Sequence, residues 1–209
     1  IAAPSANRSG RPSPTVAKYV IEDLDGRVEM IIDGGFSAIG LESTIIDLSE
    51  GEPMILRPGY VTQEKMTQVI GNVDVDRTIL DASSKEAPKA PGMKYRHYAP
   101  KGNLTIVEGP QEKVTACINE KLSEGHKQGL KTGVIATDET IEQYQADVKR
   151  SLGSRKNEEA IAHHLFEVLR QMDDEEVQLI FTESFAETGL GQATMNRLLK
   201  AAGHQVISL

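Results

Sequence analysis

Apolar residues near the start of the chain recur at helical spacing. Val16, Val20 and Leu24 form one face of a predicted helix. Ser13 is suited to cap this helix at its N-terminus, and Pro14 is suited to its first position. The sequence therefore predicts a helix that begins at the end of a small, polar, turn-rich stretch, IAAPSANRSGRPSPT.

Shorter apolar runs follow this helix and predict a small sheet. Residues 28–32, 43–48 and 53–57 are each bounded by glycine-rich or acidic turns, as is typical of strands. Residues 61–70 then suit a short helix. The first third of the chain is thus predicted to be a small α/β unit.

From residue 104 onward, strand-like and helix-like patterns alternate. Strands are predicted at 104–109, 132–137, 178–184 and 204–209. Helices are predicted at 111–125, 138–149, 157–172 and 191–202. This alternation predicts an open, mainly parallel α/β sheet.

Residues 77–103 separate the two patterns and have the composition of a linker, with three prolines and no sustained period. The segment ends in MKYRHYAP, which is richer in aromatic and cationic residues than a flexible linker needs. Such a cluster could close over a bound nucleotide as a lid. Alternatively, Tyr95 and Tyr98 could simply fasten the linker to a domain surface.

Composition narrows the classes of function. Of the 209 residues, 39% are hydrophobic and 26% charged, as in globular proteins, and no apolar run has the length of a membrane span. The single cysteine excludes a multi-cysteine zinc site and favours a reducing, cytoplasmic setting. The net charge of −8 argues against nonspecific nucleic-acid binding by the whole surface, although several basic residues cluster at 94–101.

The stretch PSANRSGRPS, residues 4–13, has the donors that an anion site needs. Hydroxyls and backbone N–H groups can converge there, Gly10 permits close approach, and the following helix directs its positive end at the loop. It is not a Walker loop. A capped turn without any ligand is the alternative that composition alone favours.

Two further stretches carry polar groups at strand ends. LESTIID places Ser43 and Thr44 at the start of a predicted strand, where hydroxyls bind a ligand or merely satisfy the strand end. LRPGY places Arg57 at the end of an apolar strand, where it could clamp a phosphate or carboxylate or lie free on the surface.

Two other motifs are weaker. His163 and His164 are adjacent on a predicted helix and point about 100° apart, so we expect no metal site there. GLGQA at 189–193 resembles a phosphate-binding glycine turn but lacks the full pattern, which favours helix–turn packing.

Taken in order, PSANRSGRPSPT, LESTIIDL, LRPG and APGMKYRHYAP resemble the YrdC-like threonylcarbamoyl-AMP synthases. The stretches SLGS, EAIAHHLFEVLRQMD and GLGQATMNRLLKAA resemble the extra C-terminal domain of the long form of that family. The resemblance implies that residues 1–76 are the C-terminal part of a twisted α/β catalytic domain. It implies an interdomain linker that enters the active site at 77–103 and a Rossmann-like, mainly parallel α/β domain at 104–209.

The resemblance also implies a reaction and its residues. Such enzymes make threonylcarbamoyl-AMP and pyrophosphate from L-threonine, bicarbonate or CO2, and ATP with Mg2+. A transferase machinery then modifies tRNA. The implied ATP contacts are Ser5, Asn7, Ser13, Arg57 and Tyr98. The implied threonine contacts are Ala3 and Ser43, and the implied lid residues are Arg96 and His97.

One part of the family pattern is missing. A Lys-x-Arg motif that helps to bind ATP lies upstream of PSAN in the family, and no such motif precedes Ser5 here. Lys94-Tyr95-Arg96 has the same spacing but belongs to the linker. We therefore expect the sequence to be a C-terminal fragment that is inactive, or nearly so, by itself.

Two other functions remain open from the sequence. A YrdC-type module could bind RNA without catalysis, through basic residues such as Arg8, Arg11, Lys94 and Lys101. A related carbamoyl-transfer enzyme of the hydrogenase-maturation type shares the YrdC domain, but the C-terminal stretches argue against it.

Overall fold

The computed structural model describes residues 4–49, 51–76, 79, 97–186 and 188–209. Two predicted site residues, Ala3 and Arg96, lie outside these ranges, as does most of the predicted linker. Among the described residues, no helix is both long enough and apolar enough to cross a membrane.

The N-terminal part contains a three-stranded sheet and two helices: α1 (Ala17–Leu24), β1 (Ile45–Asp47), β2 (Met54–Arg57), α2 (Gln63–Ile70) and β3 (Asp74–Val75). Strand β2 lies in the middle, antiparallel to β1 and parallel to β3. Ile55 and Val73 are buried in a small core beneath the sheet. Helix α2 forms where predicted, because the Thr62 hydroxyl accepts a hydrogen bond from the Lys65 backbone N–H and caps its start.

Two predictions for this part are wrong. Residues 28–32 form no strand, and Met30 and Ile32 are 77% and 86% exposed. A strand needs a hydrogen-bonded partner, and no described strand pairs with this segment. Ser13 does not cap α1, because the helix begins later, at Ala17, with Val16 at the cap position. The Ser13 hydroxyl bonds to Glu42 instead.

The C-terminal part is a five-stranded, all-parallel sheet with helices on both faces, which confirms the predicted α/β class. Its strands are β4 (Asn103–Glu108), β5 (Thr132–Ala136), β6 (Val148–Ser151), β7 (Leu179–Glu183) and β8 (Val206–Ser208), in the spatial order β6-β5-β7-β4-β8. Its helices are α3 (Gln111–Lys127), α4 (Glu158–Asp174) and α5 (Gly189–Ala201).

Alternation along each strand explains the two layers of core. In β4, Leu104 and Ile106 face α4 and α5, whereas Val107 faces α3. The predicted helix at 138–149 is wrong, because this segment holds only a short 3-10 turn (Ile141–Gln143) before the edge strand β6. Pairing of β6 with β5 satisfies the backbone there.

Helices α4 and α5 also face the N-terminal part of the chain. Leu41 and Tyr60 pack against apolar residues of both helices. Gly40 adopts a φ of +80°, and a Cβ atom at that position would collide with the backbone of His163. The chain segment that leads into β1 therefore lies directly on α4.

Candidate functional site

The loop formed by residues 4–13, called here the front loop, is closed by its own side chains. The Asn7 side-chain amide donates to the backbone oxygens of Arg8 and Arg11 at 3.0 and 3.3 Å. Its Oδ1 atom is buried and has no partner among the described residues. Ser5 is exposed on the same loop. The loop is thus folded locally, with one buried acceptor left unsatisfied.

Asp23 holds the front loop in place from α1. Its carboxylate accepts from the Arg8 backbone N–H at 3.1 Å, from Arg11 at 2.6 Å and from Arg170 at 2.6 and 3.2 Å. Burial alone would raise the pKa of Asp23, but these hydrogen bonds and charges outweigh it and lower that pKa. Arg170, which is fully buried on α4, also donates twice to the Pro12 carbonyl.

Ser13, at the end of the front loop, is tied to a carboxylate that the sequence did not single out. Its hydroxyl donates to Glu42 Oε1 at 2.7 Å. The other carboxylate oxygen of Glu42 accepts from Arg197 Nε at 3.0 Å. Arg197 lies on α5 and is fully buried. A side chain of the C-terminal part therefore reaches a predicted site residue through one intermediary.

Arg57 and Ser43 meet at the ends of two neighbouring strands. The Arg57 Nε and NH2 groups both donate to the Ser43 carbonyl oxygen, at 3.1 and 2.9 Å. This brings together a predicted phosphate ligand and a predicted threonine ligand. The contact uses the backbone of Ser43, while the Thr44 hydroxyl bonds to the Val61 carbonyl at 2.7 Å.

The end of the predicted linker, residues 97–99, packs against the C-terminal core near Glu42 and Arg57. Tyr98 is 5% exposed, its ring centroid lies 5.1 Å from that of Phe166, and its backbone has a φ of +61°. Burial and the nearby Glu42 carboxylate raise the pKa of Tyr98, and the positive charges of Arg197 and Arg57 partly oppose the increase. Tyr98 thus fastens the linker to the C-terminal core, the alternative left open by the sequence, and it lies near enough to Arg57, a predicted ATP ligand, to interact with its charge.

The neighbours of Tyr98 connect the linker to both parts of the chain. The Ala99 N–H donates to the Gly10 carbonyl of the front loop at 3.0 Å, and the His97 N–H donates to the Lys200 carbonyl at 3.3 Å. Burial lowers the pKa of His97, whose Nδ1 atom has no partner among the described residues. The linker therefore joins the front loop to α5.

Cationic side chains surround Glu42. Arg57, Arg197 and Lys200 all interact electrostatically with one another. Burial is the main cause that lowers the pKa of Lys200 to about 8, and repulsion by Arg197 and Arg57 adds to it. These three cations and one carboxylate, called here the Glu42 cluster, leave an excess of positive charge, which favours a further anion such as a phosphate nearby.

Two weaker motifs have structural roles here. The His163 ring stacks on Phe36 with centroids 4.2 Å apart, and no group of three or more potential metal ligands lies close together in the described residues. At the start of α5, the N–H groups of Leu190 and Gly191 donate to the Glu158 carboxylate, each at 3.1 Å. A protein carboxylate thus fills the position where a phosphate would sit.

Sequence reasoning missed Glu42, Arg197 and Lys200. Glu42 directly precedes Ser43 in the LEST stretch, so its place in a motif was the one available signal. Arg197 and Lys200 lie in a stretch whose pattern indicated an ordinary amphipathic helix. Their burial against the front part of the chain depends on a contact between residues 155 positions apart.

Comparison with known proteins assigns the two parts of the chain to two family models. Residues 61–203 match the model described as "Threonylcarbamoyl-AMP synthase, C-terminal domain". Residues 1–59 match the model described as "Telomere recombination".

Similar proteins span nearly the whole chain. It is 46% identical over 207 residues to the threonylcarbamoyl-AMP synthase of Bacillus subtilis (strain 168), covering 99% of this chain and 58% of that protein. It is 47% identical over 209 residues to the protein of that name from Pyrococcus abyssi, covering all of this chain and 59% of that protein. The chain therefore spans somewhat more than half the length of these relatives.

A solved structure has the same fold. The crystal structure of P. abyssi Sua5 complexed with L-threonine superposes with a TM-score of 0.88 at 46% identity, covering 99% of this chain and 59% of that one. A structure of a doubly substituted P. abyssi Sua5 gives the same TM-score at 45% identity.

Proposed function

Because the chain belongs to the threonylcarbamoyl-AMP synthase family with the C-terminal domain, we propose that it serves in the synthesis of threonylcarbamoyl-AMP. The substrates are L-threonine, bicarbonate or CO2, and ATP, and pyrophosphate is released. A cytoplasmic transferase machinery then uses the product to modify tRNA. The P. abyssi relative in complex with L-threonine supports the choice of amino acid.

The observation that carries the proposal is the excess of positive charge around Glu42. Ser13, Arg57 and Tyr98 come from three separate stretches of the chain and converge there. Arg197 and Lys200 add positive charge from α5. A triphosphate carries several negative charges, so positive charge nearby lowers the electrostatic cost of bringing it close to the threonine carbamate, a second anion.

We assign the residues as follows. ATP is bound by Ser5, Asn7, Ser13, Arg57 and Tyr98. L-threonine is bound by Ser43 and by Ala3. His97 and Arg96 act as part of the linker lid. Ala3 and Arg96 lie outside the described residues, so their assignment rests on the sequence motif alone.

The chemistry requires alignment and charge neutralisation rather than a protein nucleophile. An oxygen of the threonine carbamate attacks the α-phosphorus, the bond from that phosphorus to the β-bridging oxygen breaks, and pyrophosphate leaves with the bonding pair. Mg2+ would neutralise charge on the triphosphate. The described residues hold no cluster of three or more carboxylate, histidine or cysteine ligands.

The experiment measures pyrophosphate release from ATP in the presence of threonine and bicarbonate. It uses the protein as its genome encodes it, with any residues encoded ahead of Ile1, and the 209-residue chain in parallel. We expect release that requires threonine in the first sample and little or none in the second, because no Lys-x-Arg motif precedes Ser5.

Two variants test the assigned site. Arg57→Met should raise the KM for ATP at least roughly tenfold, as expected on loss of a charged ligand to phosphate. Arg27→Met removes an exposed arginine from the loop after α1 and should leave KM unchanged. Absence of threonine-dependent release from the genome-encoded protein would refute the proposal. RNA binding with a steep salt dependence in its place would support the RNA-binding alternative.

A further inference from the structure

Arg197 connects the C-terminal part of the chain to three groups of the candidate site. Its Nε donates to Glu42 Oε2 at 3.0 Å and its NH2 to the Glu42 carbonyl at 3.2 Å. Its NH1 donates to the Pro58 carbonyl. A single guanidinium thus uses all three of its nitrogens on two short segments of the N-terminal part.

These contacts lie next to the residues assigned to substrates. Glu42 precedes Ser43, and Pro58 follows Arg57. Because Arg57 is itself bonded to the Ser43 carbonyl, Arg197 closes a ring that fixes the ends of β1 and β2 relative to each other. Removing the guanidinium leaves the Arg57–Ser43 contact but takes away the restraints on Glu42 and Pro58 at once.

The same guanidinium controls the position of Ser13. Glu42 accepts the Ser13 hydroxyl on one carboxylate oxygen and Arg197 on the other. The Glu42 side chain is only 15% exposed and that of Arg197 is fully buried, so little water is available to replace either partner. The orientation of Glu42, and with it that of Ser13, therefore depends on Arg197.

Charge gives a second reason for the pairing. A carboxylate beside phosphate-binding residues repels a triphosphate unless a cation compensates it, and the effect is larger where the groups are partly desolvated. Among the described residues, Arg197 forms the ion pair with Glu42. Without it, Glu42 would lose its direct counter-ion, and only the electrostatic interactions with Arg57 and Lys200 would offset its charge beside Ser13.

We propose that Arg197, although it belongs to the C-terminal domain, is a positioning residue of the nucleotide site that acts through Glu42 on Ser13 and through Pro58 on Arg57. This inference rests on the proposed function, since it takes Ser13 and Arg57 to be ATP ligands. It makes the C-terminal domain a structural component of the ATP site.

The test compares Arg197→Met, Glu42→Gln and the double variant in the genome-encoded protein. The readouts are the KM for ATP, the KM for threonine and the Kd for ATP by titration calorimetry. We expect Arg197→Met to raise both ATP constants at least roughly tenfold, and the KM for threonine by several-fold less. Adding Glu42→Gln should recover at least half of the loss on a logarithmic scale, because it removes a carboxylate that has lost its direct counter-ion.

A matched control separates positioning from general stability. Arg155 pairs with Glu183, which is 1% exposed, entirely within the C-terminal part. Arg155→Met should lower the midpoint of thermal unfolding but leave both ATP constants within twofold of wild type. If Arg197→Met does not fold, Arg197→Lys keeps the charge. It should raise the KM for ATP about threefold to tenfold, since one ammonium cannot span Glu42 and Pro58.

The outcomes distinguish this inference from the proposed function. Wild-type protein that binds ATP but shows no threonine-dependent turnover would refute the proposed function, and the Kd measurements would still test Arg197. A folded Arg197→Met protein with a Kd for ATP within twofold of wild type would overturn the positioning role. An equal rise in the KM for ATP and the KM for threonine would also overturn the positioning role. The same holds if adding Glu42→Gln to Arg197→Met does not lower the ATP constants again.

Discussion

The buried ion pair between Arg170 and Asp23 should dominate the stability of the contact between the two parts of the chain. Both side chains are fully buried, and Arg170 makes four hydrogen bonds, two to Asp23 and two to the Pro12 carbonyl. Replacing Arg170 by methionine keeps an unbranched side chain of similar length. It removes every one of these donors and leaves a carboxylate and a carbonyl without them.

The magnitude follows from what remains around Asp23. Removing one partner of a buried pair costs about 3–5 kcal/mol. Asp23 keeps Arg11 at 2.6 Å and the Arg8 N–H at 3.1 Å, so we expect the lower end, about 3 kcal/mol. In a chain of this length each kcal/mol lowers the melting temperature by roughly 2–4 °C. Arg170→Met should therefore melt roughly 6–12 °C below wild type.

Thermal unfolding followed by circular dichroism measures this difference, and Lys18→Met is the matched control. Lys18 joins the same two helices, α1 and α4, through Asp174 at 2.6 Å, but its side chain is 59% exposed. Exposed pairs contribute about 0–1 kcal/mol. If Arg170→Met melts no lower than Lys18→Met, the buried pair does not hold the two parts together and the reasoning fails.

The pH dependence provides an independent check on Asp23. Its pKa is lowered in the folded state, so the unfolded chain binds the proton more readily and folding is favoured by ionisation. The contribution is complete above the usual aspartate pKa of about 3.9 and is lost as the pH falls through the lowered value. The difference between wild type and Arg170→Met should shrink over that acid range. A difference that stayed constant on acidification would contradict the assignment.

Three further outcomes can be measured by denaturant unfolding. Lys200→Met should be more stable than wild type at pH 7, because the folded state lowers the pKa of Lys200 to about 8. The difference in the free energy of unfolding should close as the pH rises from about 8 toward 10.5, since the unfolded chain binds more protons over that range. A difference that stayed constant would contradict this reasoning. Gly59→Ala should lower the free energy of unfolding by about 1–3 kcal/mol, because the added Cβ would collide with the backbone that leads into β1. Gly34→Ala is the control: its Cβ meets open space, so the free energy of unfolding should change by less than about 0.5 kcal/mol. Tyr144→Phe should lower the free energy of unfolding by about 1.5–3 kcal/mol, because it loses the 2.6 Å hydrogen bond to the buried Glu183 carboxylate. An unchanged free energy would mean that Gln111 and Arg155 alone satisfy that carboxylate.

The sequence predicted secondary structure well where the burial pattern of a segment can be read from the segment itself. Residues 132–137 were predicted as a strand from an unbroken small and apolar run, and β5 is buried along its full length between two neighbours. Residues 157–172 carry an apolar stripe that α4 buries. Where a segment depends on distant partners, local pattern was insufficient. The 28–32 run resembles a strand but pairs with no strand in the described part of the chain, and residues of β6 were predicted to be helical.

The same distinction applies to the candidate site. The family motifs pointed to Ser13, Ser43, Arg57 and Tyr98, and in the fold each of these residues lies beside Glu42 or Arg57. No local pattern could reveal Arg197, because an arginine on an amphipathic helix is ordinarily exposed. Its burial is a property of the contact between the two parts of the chain. The two residues that form this contact, Glu42 and Arg197, are 155 positions apart, so no local pattern connects them.

The distribution of charge in the two buried ion pairs has a consequence for each part of the chain taken alone. Both carboxylates, Asp23 and Glu42, belong to the N-terminal part, and both buried guanidiniums, Arg170 and Arg197, belong to the C-terminal part. A lineage that lost the second half would keep Glu42 without its counter-ion and Asp23 with Arg11 alone. Water would then solvate both carboxylates, so the N-terminal part would lose little from them, whereas the C-terminal part would carry Arg170 and Arg197 on a newly exposed face. The charges that fasten the two parts together are thus positive on one partner and negative on the other.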